Sequence, residues 1–306
     1  MDKIVFMFSG QGAQYSGMGK SLYNCSPAAR AVFDMADRIR PGTSAQCFDG
    51  TPEELAVTEN TQPCVYCVDL AAAAALGEIG VKADMLAGFS LGEIAALAYS
   101  GAVTYENGFR LVCRRAKHMQ SASKETPASM AAVLKLSDDE VVALTEEFDN
   151  VYAVNFNCPG QVVVSGAPEA LEAFKTRVRD TGGKVMPLKV SGGFHSPFMA
   201  PASDAFMKDL NAFTITPPSA QLYSNVTAEP YEGDFRYLLS QQIKSPVQWR
   251  RTIENMIKSG AGTFIEVGPG MVLSGLASRI SDKVRVFNVE DEASLYNTVS
   301  EVGKNA

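Results

Sequence analysis

Continuous apolar runs alternate with longer helical segments over the first 125 residues. Ile4–Phe8 and Met85–Gly88 read as strands, and Ala28–Ile39, Glu53–Leu55, Glu93–Ser100 and Glu106–Ser121 as helices. Pro63 suits the first position of another helix, running through Val68–Ile79, because its missing N–H is not needed there. Strands alternating with helices predict a mostly parallel sheet covered on both faces.

From Ser129 the pattern changes. Met130–Leu136, Val151–Asn155, Gln161–Ser165 and Lys184–Val190 read as strands, with helices at Asp138–Phe148 and Pro168–Asp180. Asn157-Cys158-Pro159-Gly160 is a turn between the middle two strands. The order β-α-β-β-α-β is that of a split ferredoxin-like unit. The expected fold is therefore α/β, a larger parallel-sheet, hydrolase-like core (1–125 and 192–306) carrying a smaller inserted ferredoxin-like α+β domain (126–191). After Ser191-Gly192-Gly193 the pattern predicts helices at Pro201–Asn211, Phe235–Gln242 and Trp249–Ser259. Strands fall at Leu222–Ser224 and Thr263–Val267, and a last helix ends at Ile280.

Composition narrows the function. The 306 residues are 46% apolar and 20% charged, as in ordinary globular proteins. A net charge of −7 with no long basic run argues against nucleic acid. No N-terminal stretch resembles a signal peptide, and no apolar run is long enough to span a bilayer, so a cytoplasmic, membrane-free protein is expected. Six cysteines are then kept reduced. Cys64-Val65-Tyr66-Cys67 has no second pair or neighbouring histidine and reads as the first turn of an apolar helix, not a zinc or redox site.

The chemistry centres on Gly88-Phe89-Ser90-Leu91-Gly92-Glu93. G-x-S-x-G between a strand and a helix is the context of a nucleophile elbow, although a plain Gly-Ser turn has the same letters. A serine nucleophile needs a base, and the chain has two histidines. His118 lies in a helix after Arg114, Arg115 and Lys117 and reads as solvated; His195, in Gly193-Phe194-His195-Ser196-Pro197, lies in a loop that can present an imidazole. The Ser9–Gln14 loop after the first strand can supply an oxyanion N–H at Gln11. Gly10-x-Gly12 lacks the third glycine of a dinucleotide fingerprint, and Tyr15 would crowd a pyrophosphate. Arg115 offers a fork for a carboxylate or is simply one of two adjacent surface arginines; the sequence leaves both open.

Taken in order, Gly10–Gln14, Gly88–Glu93, Arg114-Arg115 before Met119-Gln120, Asn155–Gln161, Phe194–Pro197, Pro246–Trp249 and Glu266–Gly270 resemble the malonyl-CoA:acyl carrier protein transacylases of type II fatty acid synthesis. The resemblance spans essentially the whole chain. It implies that Ser90 is acylated by malonyl-CoA, with His195 as base and the backbone N–H groups of Gln11 and Leu91 as oxyanion hole. Arg115 would pair with the malonyl carboxylate, Met119 and Asn157 would lie near the substrate, and the main-chain carbonyl of Gln248 would orient His195. The partners implied are malonyl-CoA and phosphopantetheinylated acyl carrier protein, with no metal or other cofactor and a monomeric enzyme. Lys189, Arg279, Lys283 and Arg285 are candidate docking residues for an acidic carrier. Phe89 stands where the family often has histidine, and Gly193 where related selectivity motifs often have alanine. The competing reading, an α/β-hydrolase esterase, places its histidine late in the chain; here 111 residues follow His195.

Overall fold

The computed structural model describes residues 2–188, 190 and 192–303. The chain runs β1 (Lys3–Phe8), α1 (Lys20–Cys25), α2 (Pro27–Ile39), α3 (Thr43–Asp49), α4 (Pro52–Ala56), α5 (Thr58–Glu78), β2 (Met85–Gly88), α6 (Gly92–Tyr99) and α7 (Tyr105–Glu125). It continues with β3 (Ser129–Leu134), α8 (Asp138–Glu146), β4 (Val151–Cys158), β5 (Gln161–Gly166), α9 (Pro168–Asp180) and β6 (Lys184–Pro187). It ends with α10 (Ala200–Leu210), β7 (Gln221–Tyr223), α11 (Phe235–Gln242), α12 (Trp249–Lys258), β8 (Ala261–Val267), α13 (Val272–Ile280), β9 (Arg285–Val289) and α14 (Glu292–Gly303).

Among the described residues two sheets form, one of five strands in the order β7-β2-β1-β8-β9 and one of four in the order β4-β5-β3-β6. The first is parallel throughout; the second is antiparallel. Period-two alternation explains how β1 serves both faces of the large sheet. Phe6 and Phe8 enter one core with α2, α5 and α6, while Val5 and Met7 enter the other with Trp249, Ile253 and Leu276. α5 is apolar on all sides and correspondingly buried along most of its length. It begins at Thr58, not at Pro63, so Pro63 falls in its second turn and forgoes the bond its N–H would give to Glu59. Cys64 and Cys67 are thus inside the helix, beyond its first turn, with both thiols buried.

The small sheet packs α8 and α9 on one face through Val133, Val162, Leu171 and Phe174. Its other face joins the main core through Met130, Ala132, Val154 and Val163. Main-chain bonds from Phe156 N to Val247 O (2.9 Å) and from Val247 N to Val154 O (2.8 Å) pin β4 to the segment before α12. Capping boxes at Thr51/Glu54 and Ser137/Glu140 start α4 and α8. β9 and α14 lie beyond the last element expected; β9 extends the large sheet at its edge and α14 packs on it, and four of the five β9 residues are only half-buried, which blurs their alternation. Among the described residues no helix is long and apolar enough to cross a membrane.

The decisive contact for the site is where β2 turns into α6 against β1. A Cβ on Gly88 would stand 2.0 Å from the Gly92 carbonyl carbon, and one on Gly92 2.3 Å from the Phe8 carbonyl oxygen. Backbone occupies these volumes, so no rotamer change relieves the clash. Gly92→Ala is therefore expected to lower the unfolding free energy by about 3 kcal/mol or more, read from urea denaturation. An unchanged midpoint would mean that β1 and α6 can separate freely.

Candidate active site

In a parallel sheet the loops after the carboxyl ends of the strands share one edge. Here that edge brings together Gln11 after β1, Ser90 after β2, Asn225 after β7 and Gly268 after β8. Ser90 has a φ of 55°, the left-handed conformation of an elbow. The turn is held at both ends. Ser90 N–H donates to Asn225 Oδ1 (2.8 Å), and Asn225 Nδ2 donates to Gly88 O (2.7 Å). Ser90 C=O accepts from Gln242 Nε2 (2.7 Å) and from Glu93 N (3.1 Å).

The Ser90 hydroxyl meets two groups from distant elements. His195 Nε2 lies 2.8 Å from Oγ, and Arg115 Nη2 donates to Oγ at 3.0 Å. His195 also has a positive φ, 61°, and its backbone N–H donates to Ile243 O (3.1 Å). Its Nδ1 lies 2.8 Å from Gln242 O. A carbonyl only accepts, so Nδ1 carries the proton and Nε2 presents a lone pair to the serine hydroxyl. Burial and the nearby Arg115 charge push the imidazole down to about 4, against the opposing pull of the Gln242 carbonyl. The ring is neutral at neutral pH and competent as a base.

The orienting carbonyl is thus Gln242's, which corrects the expectation of Gln248. Gln242 is the last residue of α11, where helical carbonyls lack intrahelical partners. Gln248 is the N-cap of α12, and its carbonyl already accepts from Thr252 N and Oγ1, both at 2.9 Å.

Arg115 is fully buried on α7. Nη1 donates to Gln62 Oε1 and Nη2 to Gln242 Oε1, both at 2.7 Å, while Nε has no partner among the described residues. Burial pulls the guanidinium down to about 10, with Glu93 opposing, so it stays charged. It is not the surface arginine of the bland reading; that is Arg114, which pairs with Asp209 at 2.7 Å. His118 is not free in solvent either, since its Nε2 lies 2.7 Å from the same aspartate.

Ser90, His195, Leu91, Gln11 and Met119 line one cavity of about 70 Å³. Leu91 is the N-cap of α6, so its N–H lies among the unpaired donors of a helix start. Gln62 Nε2 donates to Met119 Sδ (3.4 Å). The cavity shares Gln11, Phe89 and Asn155 with a neighbouring groove of about 480 Å³ between the two sheets. Asn157 lines that outer groove; Asn155, two residues earlier, reaches the inner cavity as well. The Oδ1 atoms of both are buried without a partner among the described residues. Gln62, Glu93, Asn225 and Gln242 are site residues that the sequence reading did not assign. The one available signal was the predicted end of a helix at Gln242.

Of the basic candidates, Arg279 bonds Gln161 (2.8 Å), which lines the outer groove. Arg285 pairs in register with Thr263, and Thr263 with Ile4, so Arg285 and Lys283 belong to the opposite, amino-terminal edge of the sheet. Lys189 and Ser191 lie outside the described residues. Among the described residues no group of three His, Cys, Asp or Glu side chains could hold a metal ion.

These features define a class, an α/β protein with a serine at a nucleophile elbow. Residues 5–297 match the family model described as acyl transferase domain, and the chain belongs to that family. It is 36% identical to the malonyl CoA-acyl carrier protein transacylase of Bacillus subtilis (strain 168), with 100% of each chain covered. The crystal structure of malonyl CoA-acyl carrier protein transacylase from Clostridium perfringens superposes with a TM-score of 0.94 at 38% identity, over 99% of this chain and 98% of that one. A malonyl-transacylase in complex with its type II polyketide synthase acyl-carrier protein gives 0.94 at 32% identity, over 98% and 99%.

Modification of Ser90 by phenylmethanesulfonyl fluoride is expected to stay level from about pH 8 to about pH 5. It should fall only below that, as His195 takes a proton near pH 4. A fall centred on about pH 6.5, the ordinary histidine value, would show the ring to be solvated.

Proposed function

We propose that this protein moves the malonyl group of malonyl-CoA to the phosphopantetheine thiol of acyl carrier protein through a malonyl-Ser90 ester. One observation carries the reading. A buried, charged Arg115 that pairs with no carboxylate among the described residues stands 3.0 Å from the Ser90 hydroxyl, so the acyl group that fits beside it carries a carboxylate of its own. The names of the Bacillus and Clostridium relatives and the carrier-bound neighbour agree with it.

In the first step His195 Nε2 takes the Ser90 proton as Oγ attacks the thioester carbonyl. The oxyanion is met by the N–H groups of Gln11 and Leu91. The C–S bond then breaks, and the imidazolium returns the proton to the departing coenzyme A thiolate. In the second step His195 takes the proton of the carrier thiol, the sulfur attacks the ester, and Ser90 recovers its hydrogen. These proton transfers balance with no metal or redox cofactor. A malonyl carboxylate on Arg115 also cancels the field that depresses His195, so the base strengthens when the matching acyl group is bound.

Pantetheine of either substrate enters by the groove between the sheets, past Asn155 and Asn157. That groove supports the division into a hydrolase-like large domain, 1–125 with 192–306, and a ferredoxin-like small one, 126–191, whose strand order β4-β5-β3-β6 is the one that fold has. The reaction suits a cytoplasmic enzyme that acts as a monomer.

Intact mass after mixing with malonyl-CoA should show one malonyl adduct that maps to Ser90 and moves to added carrier protein. Loss of the adduct only to water would make the protein a thioester hydrolase. His195→Ala should slow acylation by about 10²–10⁴-fold. Breaking a buried charged pair costs roughly 2–5 kcal/mol, so Arg115→Ala should lower malonyl transfer at least about thirtyfold and spare acetyl transfer. Equal losses for the two acyl groups would remove Arg115 from the reading.

A further inference from the structure

The nearest source of negative charge to Arg115 does not touch it. Glu93, in the first turn of α6, is fully buried. Its carboxylate accepts from Asn225 N (3.2 Å), from the Tyr231 hydroxyl and from Gln242 Nε2 (2.5 Å). The same Gln242 side chain accepts from Arg115 through Oε1 (2.7 Å). One amide therefore stands between the two charges, with its oxygen toward the cation and its nitrogen toward the anion.

We infer that Glu93 is the counterion of Arg115 at one remove, acting through Gln242, and that it limits how tightly Arg115 holds the carboxylate of the acyl group. This rests on the reading of Arg115 as the carboxylate receptor. A directly bonded acid would fill the guanidinium and compete with substrate. An arginine with no acid nearby would leave a buried charge uncompensated, which is strongly destabilising. The interposed amide avoids both: it stabilises the cation, yet leaves Nε unpaired and Nη2 directed at Ser90.

Among the described residues two charged or titratable groups act on Glu93, Arg115 from α7 and Tyr231 from the segment after β7; Gln242 and Asn225 are neutral amides. Burial outweighs the lowering effect of the three donors and Arg115 and leaves the carboxyl raised to about 7. Below that pH Glu93 takes up a proton and ceases to offset Arg115. Preference for an acyl carboxylate should then rise on the acid side of neutrality, a range in which His195 stays neutral.

The test is the rate of Ser90 acylation by malonyl-CoA relative to acetyl-CoA, from about pH 6 to about pH 8.5. In the unmodified protein this ratio should rise several-fold as pH falls through about 7. Glu93→Gln should raise it about tenfold at pH 8, make it level with pH, and lower the melting temperature. Tyr231→Phe removes one donor to the carboxylate, so the rise should move to higher pH; this variant decides the matter if Glu93→Gln does not fold. A ratio unchanged or lowered by Glu93→Gln, a persisting pH dependence in it, or a rise left in place by Tyr231→Phe overturns the inference. Arg115→Ala separates the two failures. If it keeps the malonyl preference, the Arg115 reading itself fails; if it abolishes the preference while the Glu93 and Tyr231 variants match the parent, only the counterion role fails.

Discussion

Ser90 sits in a left-handed turn that a residue with a side chain adopts at a cost of about 1–3 kcal/mol. The turn persists because each of its polar ends is held from elsewhere. Asn225, just past β7, takes the N–H, and Gln242, at the end of α11, holds the carbonyl. Gly88 and Gly92 let β2, α6 and β1 approach to backbone contact around it. The hydroxyl is thereby pushed off the sheet edge toward His195 and Arg115, and the geometry of the site follows from that single turn.

Burial then sorts the charges. It lowers both His195 and Arg115 from their ordinary values, yet with opposite consequences at neutral pH. Histidine starts near neutrality, so a modest push leaves it uncharged and basic. Arginine starts so high that the same push leaves it a cation. A neutral base and a fixed positive charge can therefore share one small cavity. Gln242 couples them, its main-chain carbonyl on the imidazole and its side-chain oxygen on the guanidinium.

Much of this was legible in the residues. Pro168–Asp180 and Phe235–Gln242 match the observed helices end to end, because Pro168 and the Asp234 cap at the starts and loss of helical period at the finish are local signals. Ser90 was legible because the elbow needs glycines at fixed spacing, and His195 because only one of two histidines lies in a loop. Gln248 misled because which carbonyl is free depends on where two helices end and begin. Asn225, Gln62 and Glu93 escaped because nothing local to a polar residue names a partner that lies far away in the sequence.

By itself the sequence determined most of the elements as far as Ile280 and the two kinds of sheet, and it singled out Ser90 and His195 as a candidate pair, since periodicity, capping and short motifs are written within a few residues. Tertiary structure alone decided that Arg115 is buried beside Ser90 and that Gln242 joins it to His195. It also set the Gln242 side-chain amide between Glu93 and that arginine. Those contacts close between residues 25, 127 and 149 positions apart. Only the packing of α6, α7 and α11 over one sheet edge brings them within hydrogen-bond reach.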